Sequence, residues 1–267
     1  MIQFILISND PERVEMAEQV GVSRFFVDLE LLGKQERQGH LNTWISAHSV
    51  EDIGLVRSVL KNAQLIVRLN PLNPDSASEI NAVIDQGAHI LMIPMFRQLN
   101  EIIEFCRLVD GRADVMPLIE TADAANIVSE VVEVAGVSEI YIGLNDLHLD
   151  LGLRFMFEPL ANGLVDNMAK QIKRKGLNFG FGGVARVGEG MLPGELVLAE
   201  HARLESSSVI LSRSFNGIAV DHDDEAFKHE FEKLQSSYRL AIERSISQVE
   251  ADRDDLRRRV RKISEAR

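Results

Sequence analysis

The sequence has little of several features that mark particular classes of protein. Cys106 is its single cysteine, which excludes an internal disulfide and a metal cluster built on thiolates and is typical of a reducing compartment. No apolar run is long enough to span a bilayer, and the apolar start at residues 2–7 lacks the basic leader of a signal peptide. We therefore expect a cytoplasmic protein with no membrane partner.

Positive charge is also scarce. The 267 residues include 29 Lys and Arg against 41 Asp and Glu, and the net charge of −12 repels phosphate backbones and anionic membrane surfaces. No nucleic acid partner is therefore expected. With 45% apolar content, a chain of this length can bury one sizeable core, and a single large α/β domain is the favoured organisation.

What the sequence does have is a regular alternation of short β-rich runs and amphipathic helical stretches. This pattern is typical of parallel strands joined by crossover helices. The predicted strands are 3–7, 24–29, 65–69, 90–93, 115–119, 140–142, 178–182 and 208–211. The predicted helices are 12–20, 50–61, 77–86, 99–109, 122–134, 158–175 and 194–201. Ser49 and Asp52 resemble a capping box at the start of the second helix.

Eight β/α repeats in ~215 residues fit a closed (β/α)8 TIM barrel, which usually takes ~250 residues. A doubly wound open sheet is the alternative. Its dinucleotide-binding form has GxGxxG directly after the first strand, and residues 7–11 (ISNDP) contain nothing of the kind. The glycines at 180–183 (GFGG) give only a weak phosphate signal. We interpret them as a tight strand end that lets a ligand or a loop approach.

The functional prediction starts from residues 141–152 (YIGLNDLHLDLG), where the sixth predicted strand enters a polar loop. Gly143 frees the backbone there, and Asp146 places a carboxylate just past the strand. That carboxylate could hold a metal ion or could merely cap the following turn, since Asn and Asp favour such positions. We predict that Gly143, Leu144 and Asn145 contact the substrate at this strand end.

Polar side chains also follow the other strands, at the end of the barrel where the active sites of this fold gather. They are Asp28 and Glu30 after strand two, Arg68 and Asn70 after strand three, Glu120 and Thr121 after strand five, and Asp146 after strand six. Glu120 and Asp146 could supply the few oxygens that Mg²⁺ or Mn²⁺ needs, with water and substrate as the other ligands. The guanidinium of Arg68 suits a carboxylate or an enolate oxygen. Metal and arginine together could therefore hold a 2-oxo acid.

These strand ends leave some roles open. Arg68 could instead form a structural ion pair inside the barrel mouth. Asp28 and Glu30 are candidates for either a catalytic or a structural role. Strand four contributes only Pro94 to the same end of the barrel.

Several motifs together resemble one protein family. They are FFVDLE (25–30), LIVRLN (65–70), GAHILMIPM (87–95), MPLIET (116–121) and IYIGLNDLHLDLG (140–152), in this order. The chain resembles the HpcH/HpaI aldolases and citrate lyase β subunits, which are metal-dependent barrels that make or break carbon–carbon bonds next to pyruvate- or acetate-type enolates. The resemblance implies that Glu120 and Asp146 are the metal ligands. It also implies that Arg68 binds the oxo and carboxylate oxygens of the substrate.

One position departs from the family pattern. The pyruvate aldolases carry a histidine directly after the acidic residue of strand two, as a proton carrier, and this chain has Leu31 there. Lys34 and Arg37, a little further along, look like basic residues of the citrate lyase branch. His40 and His148 are the candidate replacements, although a single histidine often has a surface or structural role. A metal-bound water is a further alternative.

Beyond strand eight the composition changes. From Ala226 the chain has no glycine or proline, which predicts one long helix in a C-terminal segment, 223–267, after a barrel domain at 1–222. Its apolar residues have the alternating spacing of a coiled-coil seam with Arg253 as the polar interruption. The seam positions are Ile242, Ile246, Val249, Leu256, Val260 and Ile263. We expect this seam to hold a homo-oligomer.

The sequence thus predicts a Mg²⁺- or Mn²⁺-dependent carbon–carbon lyase or aldolase that acts through the enolate of a small 2-oxo acid, with pyruvate favoured. Its second substrate would be an aldehyde. A thioester lyase of the citrate lyase kind, acting on an acyl-CoA, is the enzymatic alternative. A barrel without catalytic activity that serves as a binding or assembly module is the other, because Leu31 cannot transfer protons.

Overall fold

The computed structural model describes residues 2–33, 48–215 and 224–267, in which eight parallel strands form a closed barrel in sequence order. The strands are β1 (Gln3–Ile7), β2 (Arg24–Asp28), β3 (Gln64–Arg68), β4 (Ile90–Ile93), β5 (Asp114–Ile119), β6 (Glu139–Ile142), β7 (Asn178–Val184) and β8 (Ser208–Leu211). They carry mostly buried Val, Ile, Leu and Phe, which suit strands covered on both faces. The predicted TIM barrel is confirmed, and the open-sheet alternative is wrong.

Helices connect the strands and complete the chain. They are α1 (Pro11–Gln19), α2 (Val50–Val59), α3 (Ser76–Asp85), α4 (Leu99–Val109), α5 (Ala122–Asn126), α6 (Val128–Val131), α7 (Leu144–Asp150), α8 (Glu158–Ala161), α9 (Leu164–Arg174), α10 (Gly194–Leu204), α11 (Asp224–Ile242) and α12 (Ile246–Glu265). The capping box predicted at Ser49 and Asp52 is present before α2. Within the described ranges, no helix combines the length and the apolar character needed to cross a bilayer.

Three stretches predicted as single helices are interrupted. The stretch 122–134 divides into α5 and α6 at Ile127. The stretch 158–175 divides into α8 and α9 before Gly163, whose φ of 90° favours glycine. The predicted long C-terminal helix divides into α11 and α12 because the Ser245 hydroxyl caps the start of α12. The prediction of a polar loop after β6 is also wrong, since α7 begins there.

The chain divides into two compact units, of which the first is residues 5–141. In this unit the parallel register pairs Asp28 with Arg68 at the carboxyl ends of β2 and β3. The register decides which residues of neighbouring strands lie next to each other, so it places these opposite charges side by side. At the amino end of β2, Arg24 donates to Glu139 over 2.8 Å, and both side chains are buried.

The second unit comprises residues 142–267 together with residues 1–4. Phe4 packs edge-to-face against Phe231 of α11, with ring centres 5.1 Å apart. In α12, Leu256 and Val260 are buried. These two positions of the predicted seam therefore pack within the chain itself.

Charged side chains also attach α12 to this unit. Asp166 in α9 accepts hydrogen bonds from both Nη atoms of Arg203 in α10, over 2.8 and 3.0 Å, and from Nη2 of Arg253 in α12, over 2.8 Å. Arg203 also donates to Glu200 over 2.9 and 2.6 Å. We call these four residues the C-terminal cluster. Arg253, the polar interruption of the predicted seam, thus makes a contact inside the chain.

Candidate active site

Arg68 at the end of β3 is held by carboxylates from the end of β2. Its Nε and Nη2 each donate to Asp28 over 2.9 Å, and Nη2 also lies 3.3 Å from a carboxylate oxygen of Glu30. Only 15% of the Arg68 side chain is exposed, against 5% and 2% of the two carboxylate side chains. The structural ion pair that the sequence left open for Arg68 is therefore present.

Glu120 belongs to the same group of charges. It follows β5, is 2% exposed and acts electrostatically on Arg68. Burial by itself would lower the pKa of the Arg68 guanidinium, but Asp28, Glu30 and Glu120 outweigh it and raise that pKa above its ordinary value. We call these four residues the rim cluster. The rim cluster contains three carboxylates and one guanidinium.

The carboxylate of Glu120 is held by the turn that follows β4. Its Oε1 accepts the backbone N–H of Met95 over 3.0 Å, and the hydroxyl of the adjacent Thr121 donates to the carbonyl of Phe96 over 2.8 Å. The φ of Met95 is 55°, in the left-handed region. From the sequence we assigned only Pro94 to this strand end. Met95 was missed because a backbone donor leaves no mark in the residue type.

The position that departs from the family pattern lies next to the rim cluster. Leu31 directly follows Glu30, and the backbone N–H groups of Leu31 and Leu32 donate to the side-chain oxygen of Asn70 over 2.9 and 3.0 Å. The side-chain amide of Asn70 donates in turn to Glu79 over 3.1 Å. The exposed fraction of Leu31 is 59%. This side chain has no titratable group, so proton transfer needs another residue.

The two histidines that the sequence favoured have different outcomes. His40 lies outside the described residues, as do Lys34 and Arg37. His148 lies in α7 and is buried, and its Nδ1 donates to the backbone carbonyl of Asn145. One of the two nitrogens of His148 is therefore used within its own helix.

His48, which the sequence analysis did not favour, contacts the rim cluster. Its Nδ1 accepts the backbone N–H of Asp28 over 3.0 Å. In the neutral ring an accepting Nδ1 leaves the proton on Nε2. The residues around His48 do not predict this contact, since its partner lies 20 residues earlier in the chain.

The residues after β6 belong to the second unit. Gly143 is the N-cap of α7, and Asp146 lies in the first turn of that helix. Asn145 and Asp146 are half-buried, whereas Leu144 is 1% exposed. A Cβ added to Gly182 would lie 2.9 Å from the Cδ1 atom of Leu144, which confirms that the glycine-rich strand end allows a close approach. Leu144 could therefore contact a substrate only through its backbone.

A family model matches part of this chain. The model of the HpcH/HpaI aldolase/citrate lyase family matches residues 55–157. The resemblance to this family is confirmed. Among curated proteins, no sequence matches the chain.

Solved structures of HpcH/HpaI-type proteins have the same fold. An HpcH/HpaI aldolase from Desulfitobacterium hafniense DCB-2 has a TM-score of 0.64 at 16% identity, with 84% of this chain and 92% of that chain covered. The citrate lyase β subunit from M. tuberculosis, complexed with oxaloacetate and magnesium, has a TM-score of 0.61 at 17% identity, covering 89% and 97%. The protein CitE from Mycobacterium tuberculosis, in complex with magnesium and pyruvate, has 0.62 at 16%, covering 96% and 97%. These likenesses show the shared barrel.

The donors available for a metal ion are carboxylates. In the part of the chain that the structure describes, no three or more His, Cys, Asp or Glu side chains form a group that could hold a metal. Mg²⁺ needs fewer protein ligands, because one or two carboxylates with water and substrate commonly suffice. Glu120 offers hard carboxylate oxygens, which suit a divalent cation. The contribution of Asp146 stays a prediction.

Proposed function

We propose that this chain is a divalent-metal-dependent carbon–carbon lyase of the aldolase type, which acts through the enolate of a small 2-oxo acid such as pyruvate. The observation that carries the proposal is the rim cluster, which gathers three carboxylates and one arginine at strand ends of a barrel. Carboxylate oxygens gathered in this way are the ligands that Mg²⁺ and Mn²⁺ prefer. A cation and a fixed arginine together suit an anionic substrate whose charge moves onto an oxygen.

Glu120 and Asp146 are the residues that would hold Mg²⁺ or Mn²⁺. When bound, the metal supplies positive charge beside the oxo oxygen of the substrate and so makes the adjacent methyl group more acidic. Gly143, Leu144 and Asn145 would contact the same substrate. The burial of the Leu144 side chain limits its part in this contact to backbone atoms.

Arg68 would bind the substrate through the nitrogen that its carboxylate partners leave available. Nε and Nη2 are engaged by Asp28 and Glu30, while no residue in the described ranges accepts a hydrogen bond from Nη1. A guanidinium fixed in this way loses little freedom when a ligand binds. Nη1 can then donate to the substrate oxygen on which the enolate charge develops. In this proposal Asp28 and Glu30 are positioning residues for Arg68.

Leu31 cannot carry protons, and His48 is the best candidate for this role. Its ring is anchored at Nδ1 by the backbone of Asp28, which belongs to the rim cluster. Histidine is the side chain that most often carries protons in general acid–base catalysis. His148 is the second candidate among the described residues, and His40 stays a prediction.

Glutamine substitutions separate these histidines. Glutamine keeps a hydrogen-bonding side chain but cannot titrate, so His48→Gln should lower the rate of proton transfer about 10²-fold with little change in pyruvate affinity. The matched variant His148→Gln should keep most of that rate. The reverse result would transfer the role to His148.

The proposal as a whole is tested by exchange of the methyl protons of pyruvate with deuterated water, which NMR follows without knowledge of the second substrate. Exchange should require added Mg²⁺ or Mn²⁺. It should vanish in Glu120→Gln and Asp146→Asn, because each loses a metal ligand. A metal-loaded, folded wild-type protein that neither binds pyruvate nor exchanges its protons would contradict the proposal.

A thioester lyase is the second candidate function. One solved relative in fold is a citrate lyase β subunit complexed with oxaloacetate and magnesium, which is the observation that favours this candidate. An acyl-CoA would then be the substrate, and coenzyme A alone should raise the thermal unfolding midpoint of the protein. A protein that binds neither pyruvate nor coenzyme A would best fit a binding or assembly module.

A further inference from the structure

Three non-glycine residues in the described ranges have a left-handed backbone: Met95, Asp110 and Glu205. Asp110 and Glu205 are the C-caps of α4 and α10, where this conformation commonly ends a helix. Met95 is different, because it lies in the turn after β4 and ends no helix. Methionine has no short polar side chain that could stabilise this conformation by a local hydrogen bond, whereas aspartate has one. The surrounding structure must therefore hold Met95 in place.

The turn around Met95 is bound to the end of β5 at two points. The backbone N–H of Met95 donates to Oε1 of Glu120 over 3.0 Å, and the hydroxyl of Thr121 donates to the carbonyl of Phe96 over 2.8 Å. Phe96 is 2% exposed, so the core fixes the far side of the turn. The residue that donates to the carboxylate of Glu120 is thus the same residue that has the left-handed backbone.

We propose that the left-handed turn at Met95 is a positioning element for Glu120 as a metal ligand. By binding one carboxylate oxygen, the Met95 N–H fixes the plane of the carboxylate and sets the direction in which Glu120 meets a cation. Groups that orient a ligand in this way contribute to metal affinity without touching the metal. The inference rests on the proposed function, in which Glu120 binds the metal, and it concerns the backbone of Met95.

A series of substitutions at Met95 tests the turn through its backbone preference. Valine strongly disfavours the left-handed region, whereas glycine adopts it freely and asparagine tolerates it. Met95→Val should weaken the binding of Mn²⁺, measured alone by titration calorimetry, about 10- to 100-fold. Met95→Gly and Met95→Asn should stay within about threefold of wild type, because both allow the same N–H direction. If Met95→Val does not fold, Met95→Ala takes its place.

The matched control is Asp110→Val, which places the same residue type at an equally left-handed position, φ 51° against 55°, away from the rim cluster. It should lower the thermal unfolding midpoint and leave Mn²⁺ affinity unchanged. Equal Mn²⁺ affinity in folded Met95→Val and wild type would overturn the inference alone. So would a Met95→Gly protein as weak as Met95→Val, since the side chain would then matter more than the turn. A wild-type protein without Mn²⁺ affinity would overturn the proposed function, and this inference with it.

Discussion

The rim cluster and the C-terminal cluster are built from the same residue types and differ in their balance of charge. In the C-terminal cluster, two carboxylates face two arginines, and in the rim cluster three carboxylates face one. In both, burial lowers the pKa of the central arginine, Arg68 or Arg203, and the carboxylates outweigh it and raise that pKa.

This difference separates two uses of buried ion pairs. A balanced cluster satisfies its own charges and can hold two helices together, as Asp166 does for α9 and α12. A cluster with more carboxylates than arginines offers oxygen ligands to a divalent cation. Ion pairing alone therefore does not mark a functional site, and the ratio of carboxylates to arginines is what differs between the two clusters.

The largest expected effect comes from removing one negative charge from each cluster. Glu120→Gln should abolish the metal-dependent exchange of pyruvate protons, because a ligand to the cation is lost. Its unfolding free energy without metal should change by less than about 1 kcal/mol, since glutamine keeps the Oε1 atom that accepts the Met95 N–H. Urea denaturation and NMR-detected exchange measure the two quantities.

The matched variant Asp166→Asn should show the opposite pattern. Exchange should be unchanged, and the unfolding free energy should fall by about 2–4 kcal/mol, because Arg203 and Arg253 lose their shared partner. A Glu120→Gln protein as unstable as Asp166→Asn would mean that both clusters are structural.

The next effect comes from removing the central arginine. Arg68→Met leaves three carboxylates together, so exchange should fall about 10²-fold, and Mn²⁺ should raise the thermal unfolding midpoint by more than it does in wild type. Arg203→Met should lose stability without any dependence on Mn²⁺. Thermal unfolding of the two variants with and without Mn²⁺ measures this difference. An equal response to Mn²⁺ in the two variants would contradict the predicted difference between the clusters.

The barrel was predictable from the sequence because buried parallel strands are short, apolar and separated by amphipathic helices. The predicted strands 3–7, 90–93 and 208–211 match β1, β4 and β8, and every other strand end lies within two residues of its prediction. The strands are predictable because the burial of their residues leaves an apolar pattern within each short segment. The division of a stretch into separate helices was predicted less well, because one capping residue is enough to interrupt a helix.

One of these breaks did leave a signal. Ser245 and Gln248 have the spacing of a capping box, which the structure forms before α12. The prediction of one long helix used only the absence of glycine and proline beyond Ala226. A capping serine can end and restart a helix without either residue.

The candidate site was only partly predictable. The positions of Asp28, Arg68 and Glu120 at strand ends follow from the barrel pattern. The contacts of His48 and Met95 do not, because one depends on the chain returning to Asp28 after 20 residues and the other on a backbone N–H. Contacts of this kind are set by the fold as a whole, and the residue types around them are unremarkable in the sequence.

A smaller effect tests the region of the C-terminal cluster without changing its members. His201 in α10 is fully buried, stacks on Phe181 with ring centres 3.7 Å apart and contacts Ser206 through Nδ1 over 2.5 Å. Its Nε2 has no hydrogen-bond partner in the described ranges. Burial lowers the pKa of His201 to about 3.

Because the folded pKa of His201 lies below its unfolded value of 6.5, the unfolded chain binds more protons as the pH falls. Stability from neutral His201 is therefore present above pH 6.5 and is lost progressively between 6.5 and about 3. Between pH 7 and pH 5 the loss should be about 2 kcal/mol. His201→Leu should lack this part of the pH dependence, as measured by urea denaturation at both values. An equal pH dependence in the two proteins would mean that His201 does not titrate on unfolding.

The smallest expected effect on stability concerns the homo-oligomer predicted from the coiled-coil seam. Leu256 and Val260 are buried within the chain, whereas Ile242 and Ile246 are 58% and 80% exposed. The part of the seam that remains available to a second copy is therefore the corner between α11 and α12. Truncation after residue 223 would be a poor test, because it would also remove the buried Phe231.

The double variant Ile242→Ser with Ile246→Ser tests that corner. It should lower the mass of the oligomer, measured by light scattering, while the protomer loses less than about 0.5 kcal/mol of unfolding free energy, since both side chains are already exposed. Leu256→Ser is the contrasting variant, because a buried leucine lost from the core should destabilise the chain by about 2–5 kcal/mol. A wild-type monomer would contradict the prediction of an oligomer. The seam would then serve only to pack α12 within its own chain, as the contact between Arg253 and Asp166 already does.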